Sequence, residues 1–221
     1  MAEGSSRRRF MGLALVTLIS TITAAPLMAQ AQPTTTPASL RERAEASRAK
    51  GAASAPVLVY EIADFQCPYC SRFARDVFPS IDAEYVKTGR VKWVFVNLPL
   101  PSHAHGWAAA EAALCAGAVA DRFWQFHDRL FADQNEWTDT PDPTPHFAAY
   151  ARDLEIPADA FLSCIQRDAV ALLILEDVIA AATSQVTGTP AFVIDNQDMV
   201  VGLKSIEEWR ALLDRALRRK R

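Results

Sequence analysis

The chain has 221 residues, half of them hydrophobic and 22% charged, with a net charge of −3. That is enough apolar material for one large domain, or for one domain carrying a sizeable insertion. Acids and bases are interspersed, which excludes the electrostatic footprint of a nucleic-acid or anionic-membrane binder; no nucleic-acid partner is expected.

Residues 1–31 read as separate from the fold. Arg7, Arg8 and Arg9 precede an apolar run from Phe10 through Leu27, and the small residues Ala29 and Ala31 follow, the layout of an export signal with its cleavage site. Ser6-Arg7-Arg8-Arg9-Phe10 also resembles the twin-arginine pattern, which is read by a receptor rather than by the bilayer. An uncleaved anchor is the alternative, but threonine and serine dilute the run and leave it marginal for a full span. Loss of residues 1–31 removes three arginines and one glutamate and takes the net charge from −3 to −5. The mature protein is expected to be soluble in the periplasm. Residues 32–55, rich in Pro, Thr, Ala and Ser, read as a flexible or loosely helical linker, and the folded domain is expected over 56–221.

From Val57 to Ala63 the chain is short, β-branched and apolar on both sides, as a central strand would be. Phe73, Val77, Ile81 and Tyr85 then recur at helical spacing, and Gly89 supplies a stop, which predicts one helix over about 68–88. A second strand, Val91 to Leu98, is closed by Pro99 and Pro101. The β-α-β unit so formed implies parallel strands and a right-handed crossover. Residues 103–187 contain no convincing strand and predict four or five helices. Ala191–Ile194 and Met199–Gly202 flank a turn and form a hairpin, after which a last helix runs from about Ser205. The fold class is α/β, with an all-helical insertion between β-α-β and β-β-α halves.

Four cysteines lie downstream of the signal, in a compartment where disulfides persist. Cys67 and Cys70 form a C-x-x-C pair at a strand-to-helix junction. Pro68 suits the first helical position, so Cys67 becomes the N-cap, facing free backbone N–H groups and the positive end of the helix dipole. Both favour thiolate, the attacking form, whereas Cys70 lies one turn deeper and resolves the exchange. A C-x-x-C alone is also compatible with zinc, but no second C-x-x-C or C-x-x-H lies at finger spacing, so no metal or cofactor is expected. Pro190, at the entrance to the returning strand, is expected to follow a cis Thr189–Pro190 bond. Glu61 stands in an otherwise apolar strand on the same face as Ala63 and Phe65; a buried carboxylate needs a partner or a task, and handling the Cys70 proton is one. Cys115 and Cys164, each among apolar neighbours, are read as a structural disulfide, with two buried free thiols as the alternative. His103 and His105 are read as surface-loop residues, and neither His127 nor His146 is given a role.

Phe65-x-Cys67-Pro68-Tyr69-Cys70, the helical insertion with Phe123-Trp124-x-Phe126-His127-Asp128, and Thr187-Gly188-Thr189-Pro190-Ala191-Phe192 together resemble the DsbA-like branch of the thioredoxin superfamily, over about Pro56 to the end. The resemblance implies a thioredoxin fold and an exported protein thiol-disulfide oxidoreductase. It also implies that Pro190 stacks on the cysteine pair and that Thr189 offers its backbone to a substrate peptide, with Pro68 and Tyr69 on the same substrate-binding rim. An acid at the position of Glu61 and an insertion disulfide also occur in that branch. Cysteine-containing exported proteins are the implied substrates of a monomer, and a membrane redox partner would reoxidise it. Strong oxidants of the family carry histidine where this chain has Tyr69. A reductase or isomerase using the same cysteines therefore stays open, as does a non-catalytic copper(I)-binding or chaperone-like protein.

Overall fold

In the computed structural model of the chain, the described residues are Met1 and 39–220. The export-signal expectation for 1–31 lies outside them, Met1 apart. A five-stranded mixed sheet of order β1-β3-β2-β4-β5 organises the domain. Its strands are β1 (Ala49–Lys50), β2 (Val57–Ala63), β3 (Val91–Asn97), β4 (Ala191–Ile194) and β5 (Asp198–Val201). Strands β2 and β3 run parallel, and the other neighbours are antiparallel. This is the thioredoxin-type sheet that the resemblance implies, and the helical insertion falls between β3 and β4.

Odd-numbered residues of β2 and β3 form one face of the sheet: Val57, Val59 and Trp93 pack with Phe73, Phe192 and Trp209, while Ala63 and Phe95 pack with Phe65, Phe123 and Phe131. The opposite face meets α9 (Ala171–Thr183) through Ile62, Val96, Val178 and Ala181. Burial on both faces is why β2 reads as a nearly continuous apolar run.

One departure concerns the N-terminal stretch. Part of the expected linker, from Ser39 to Lys50, belongs to the domain: it forms α1 (Leu40–Ser47) and the edge strand β1. Helix α1 starts in a capping box in which Ser39 and Glu42 exchange side-chain-to-backbone hydrogen bonds of 3.2 and 2.7 Å. It lies so close to α4 (Gly106–Ala120) that a Cβ on Gly117 would sit 2.0 Å from Ser47 Oγ. Arg48, 5% exposed, then donates to Asp177 of α9 at 2.5 Å and to the Phe95 carbonyl at 3.2 Å.

The helix predicted over 68–88 is also not uniform. It runs as α2 (Pro68–Arg72), widens through a π turn at Phe73–Val77, continues as α3 (Phe78–Ile81) and widens again at Asp82–Val86. Pro79 has no N–H for a carbonyl one turn back, and the first widening absorbs that loss. The insertion holds six helices rather than four or five: α4, α5 (Phe123–Ala132), the single turn α6 (Gln134–Trp137), α7 (Thr144–Asp153), α8 (Ala158–Gln166) and α9. Helix α10 (Ile206–Arg218) closes the fold, again from a capping box at Ser205.

Candidate active site

The end of β2 turns through Asp64, Phe65 and Gln66 into α2. Cys67 is the N-cap, in extended conformation (φ −74°, ψ 122°), and Pro68 opens the helix. Cys67 and Cys70 are both free thiols; Cys67 is 4% exposed and Cys70 0%, while Tyr69 between them stands 57% exposed. Opposite, the Thr189–Pro190 bond is cis and the Thr189 carbonyl accepts from Cys67 Sγ at 3.4 Å. The structure thus brings Cys67, Pro68, Tyr69, Cys70, Thr189 and Pro190 to one rim.

The two sulfurs differ sharply in acidity. Cys67 is lowered to about 6, chiefly by the Cys70 thiol, with Thr189 and the backbone N–H groups of Cys70 and Tyr69 assisting against the opposing effect of burial. Cys70 is pushed well above the ordinary thiol value by burial and by the neighbouring Cys67 sulfur. At neutral pH the pair is therefore one thiolate and one thiol, with the anion on the outer sulfur.

Glu61 lies in β2, paired with Phe95 on one side and Phe192 on the other, and is 1% exposed. Trp93 Nε1 donates to its Oε2 at 2.7 Å, and Oε1 has no protein partner. Burial pushes this carboxyl up to about 8; the Trp93 hydrogen bond opposes the shift and the Asp128 charge adds to it. A group poised there holds a proton at neutral pH and can release it when the local charge changes.

Several residues that shape the site carry no obvious sequence signal. Asp64 accepts from Gln66 N at 2.8 Å, Leu100 N at 2.7 Å and His103 Nδ1 at 2.7 Å. Gln134 of α6 donates to the carbonyls of Phe65 and Cys67 at 2.7 and 3.0 Å. His105 N donates to Gln66 Oε1 at 2.8 Å, and Ser71 Oγ to the Phe131 carbonyl at 3.0 Å. His103 and His105, read from sequence as loop residues, are thus tied to the turn that carries Cys67. Away from the rim, Cys115 of α4 and Cys164 of α8 are joined by a disulfide across the insertion.

A family model described as thioredoxin matches residues 43–215. Among curated relatives, the chain is 36% identical over 149 residues to Na(+)/H(+) antiporter NhaA 3 of Salinispora tropica, covering 67% of this chain and 21% of that protein. It is 39% identical over 95 residues to disulfide bond formation protein D of Bacillus subtilis, covering 39% of this chain and 41% of that one. The match thus spans less than half the length of either relative. The crystal structure of Wolbachia pipientis alpha-DsbA1 superposes with a TM-score of 0.69 at 26% identity, over 78% of this chain and 92% of that one. With the sheet order and the placement of the cysteine pair in agreement with the family match, this chain belongs to the thioredoxin family, as a DsbA-like member.

Proposed function

We propose that the chain is an exported protein thiol-disulfide oxidoreductase, working as a dithiol oxidase in the periplasm. The observation that carries this reading is the acidity contrast in one helical turn, with Cys67 at about 6 and Cys70 far above it. A thiolate held by its surroundings stabilises the reduced pair, and that makes the oxidised pair the better oxidant.

In the reaction, a substrate thiolate attacks Cys67 of the Cys67–Cys70 disulfide. A substrate–Cys67 bond forms, and the Cys67–Cys70 bond breaks with its electron pair on Cys70, which takes up a proton. The second substrate thiol, losing its proton, then attacks the mixed disulfide and expels Cys67 as its thiolate. The substrate has lost two electrons and the enzyme has gained them; a membrane redox partner would remove them again. Glu61 serves as the buried acid that supplies and recovers the Cys70 proton. Thr189 and Pro190, with Pro68 and Tyr69, form the rim on which a cysteine-containing exported peptide lies. Export rests on the arginine-led apolar run of residues 7–27. Among the described residues, no helix is long and apolar enough to cross a membrane.

Refolding of reduced RNase by the oxidised protein, alongside insulin reduction by the reduced protein and a measured Cys67/Cys70 potential, tests the reading. Fast RNase oxidation lost in Cys67→Ala supports it. Insulin reduction with a strongly reducing potential moves the assignment to a reductase or isomerase, and rates unchanged in Cys67→Ala refute both.

A further inference from the structure

Helix α5 brings a second titratable pair to the sheet face that holds Glu61. His127 is 0% exposed and enclosed by aromatic rings, its ring centroid 5.2 Å from Phe95, 5.0 Å from Trp124 and 4.9 Å from Phe131. Phe95 is the direct β3 neighbour of Glu61. His127 Nδ1 is hydrogen-bonded to Asp128 Oδ1 at 2.8 Å, whereas His127 Nε2, like Glu61 Oε1, is buried with no protein partner. A polar atom left so inside an aromatic layer is costly unless it has a use. Asp128, with its side chain 67% exposed, opens on a cleft of about 270 Å³ lined also by Lys50, Arg75 and Asp82. Ionisable groups on this sheet face therefore run from Glu61 towards water in a cleft between α5 and the helical stretch that carries Arg75 and Asp82.

We propose that His127 and Asp128 form the solvent end of a proton path from Glu61, letting that acid exchange protons with this cleft while a substrate peptide covers the rim. The proposal rests on the oxidoreductase reading and deepens it, since His127 and Asp128 act through Glu61 and not on sulfur. A proton leaving Glu61 Oε1 reaches His127 Nε2 through an intervening water, since the two atoms do not hydrogen-bond each other. The Nδ1 proton passes to Asp128, and water in the cleft removes it; uptake runs in reverse. Charge in the path is set by Glu61 on β2, with the neutral donor Trp93 on β3; by His127 and Asp128 on α5; by Lys50 on β1; and by Arg75 and Asp82 on the π turns. Burial holds His127 low, so it carries a proton only in passing, and Asp128 and Lys50 act on it in opposite senses.

Asp128→Asn keeps an oxygen to accept from His127 Nδ1 but removes the basic carboxylate at an exposed position. His127→Phe removes the relay while keeping an aromatic shape. The Glu61 carboxyl band is followed by infrared spectroscopy, identified by its loss in Glu61→Gln, during pH titration and after pH jumps. In both variants the Glu61 protonation rate should fall by about tenfold or more. In Asp128→Asn the titration midpoint should also move to lower pH, because a charge that holds Glu61 up is gone. A folded Asp128→Asn protein with wild-type midpoint and rate overturns the proposal, whatever becomes of His127→Phe. Wild-type protein that fails to oxidise reduced RNase removes the oxidoreductase reading instead, and the infrared comparison still decides the path.

Discussion

Replacing Glu61 by glutamine should strengthen the fold in a pH-dependent way, although it removes a group placed in the mechanism. The folded carboxyl titrates at about 8 and an ordinary one at 4.5. Between those values the native protein keeps a proton that the unfolded chain has lost, so stability falls as pH rises, by about 1.4 kcal/mol per pH unit. At pH 7 the accumulated penalty is about 3 kcal/mol, and it levels off above pH 8. Glutamine keeps an oxygen for Trp93 Nε1 but sets an amide N–H₂ where Oε1 has no partner, a pH-independent cost of about 1–2 kcal/mol. The slope is thus the diagnostic quantity. Urea unfolding of the oxidised proteins, in which Cys67 and Cys70 do not titrate, should show the variant less stable at pH 4.5, gaining steadily on the wild type as pH rises to 8 and overtaking it before pH 7. Parallel stability curves over that range would refute the burial argument for Glu61.

Alkylation of the reduced protein at Cys67 should follow a midpoint near 6, falling off as pH drops through it; the midpoint should rise in Cys70→Ala, because the Cys70 thiol is the largest cause of the shift. Removing the Cys115–Cys164 disulfide by double alanine substitution opens a 49-residue loop and should cost about 4 kcal/mol in chemical denaturation, with thiol exchange at Cys67 retained. Arg48→Met leaves Asp177 buried without its cation and should cost about 3–5 kcal/mol by the same measurement. In Gly106→Ala the new Cβ would lie 2.8 Å from Asp64 Oδ1; a loss of about 1–3 kcal/mol and slower RNase oxidation should follow as the Asp64 clamp shifts.

The reactive constellation was legible because its residues obey local rules. Proline after Cys67 marks a helix start, and the β-branched runs on either side of it mark strands. The N-terminal helix escaped apolar-periodicity reasoning because its contact face is made of Ala44 and Ser47, small residues chosen by the close approach to Gly117. A signal was present all the same, since Ser39-Leu40-Arg41-Glu42 spells a capping box. The first π turn follows from Pro79, whose effect on a ladder is local but whose remedy depends on packing. No sequence rule marks Gln134 or Asp64, because the partners of Gln134, and Leu100 N and the His103 ring for Asp64, are brought near only by the finished fold. Nothing in the sequence gives His127 a role; only the sheet face it covers sets it against Phe95, the strand neighbour of Glu61.

The bonds from Gln134 to the carbonyls of Phe65 and Cys67 span 69 and 67 residues of sequence. The turn that presents the nucleophile is thus held by a helix made much later in synthesis, and contacts of such separation form late because chain closure is costly. Until then residue 67 is a thiol on a loose chain, without the pre-set dipoles that sharpen it. Reactivity in this protein is acquired on completion of folding, so a nascent copy is poorly equipped to crosslink its neighbours.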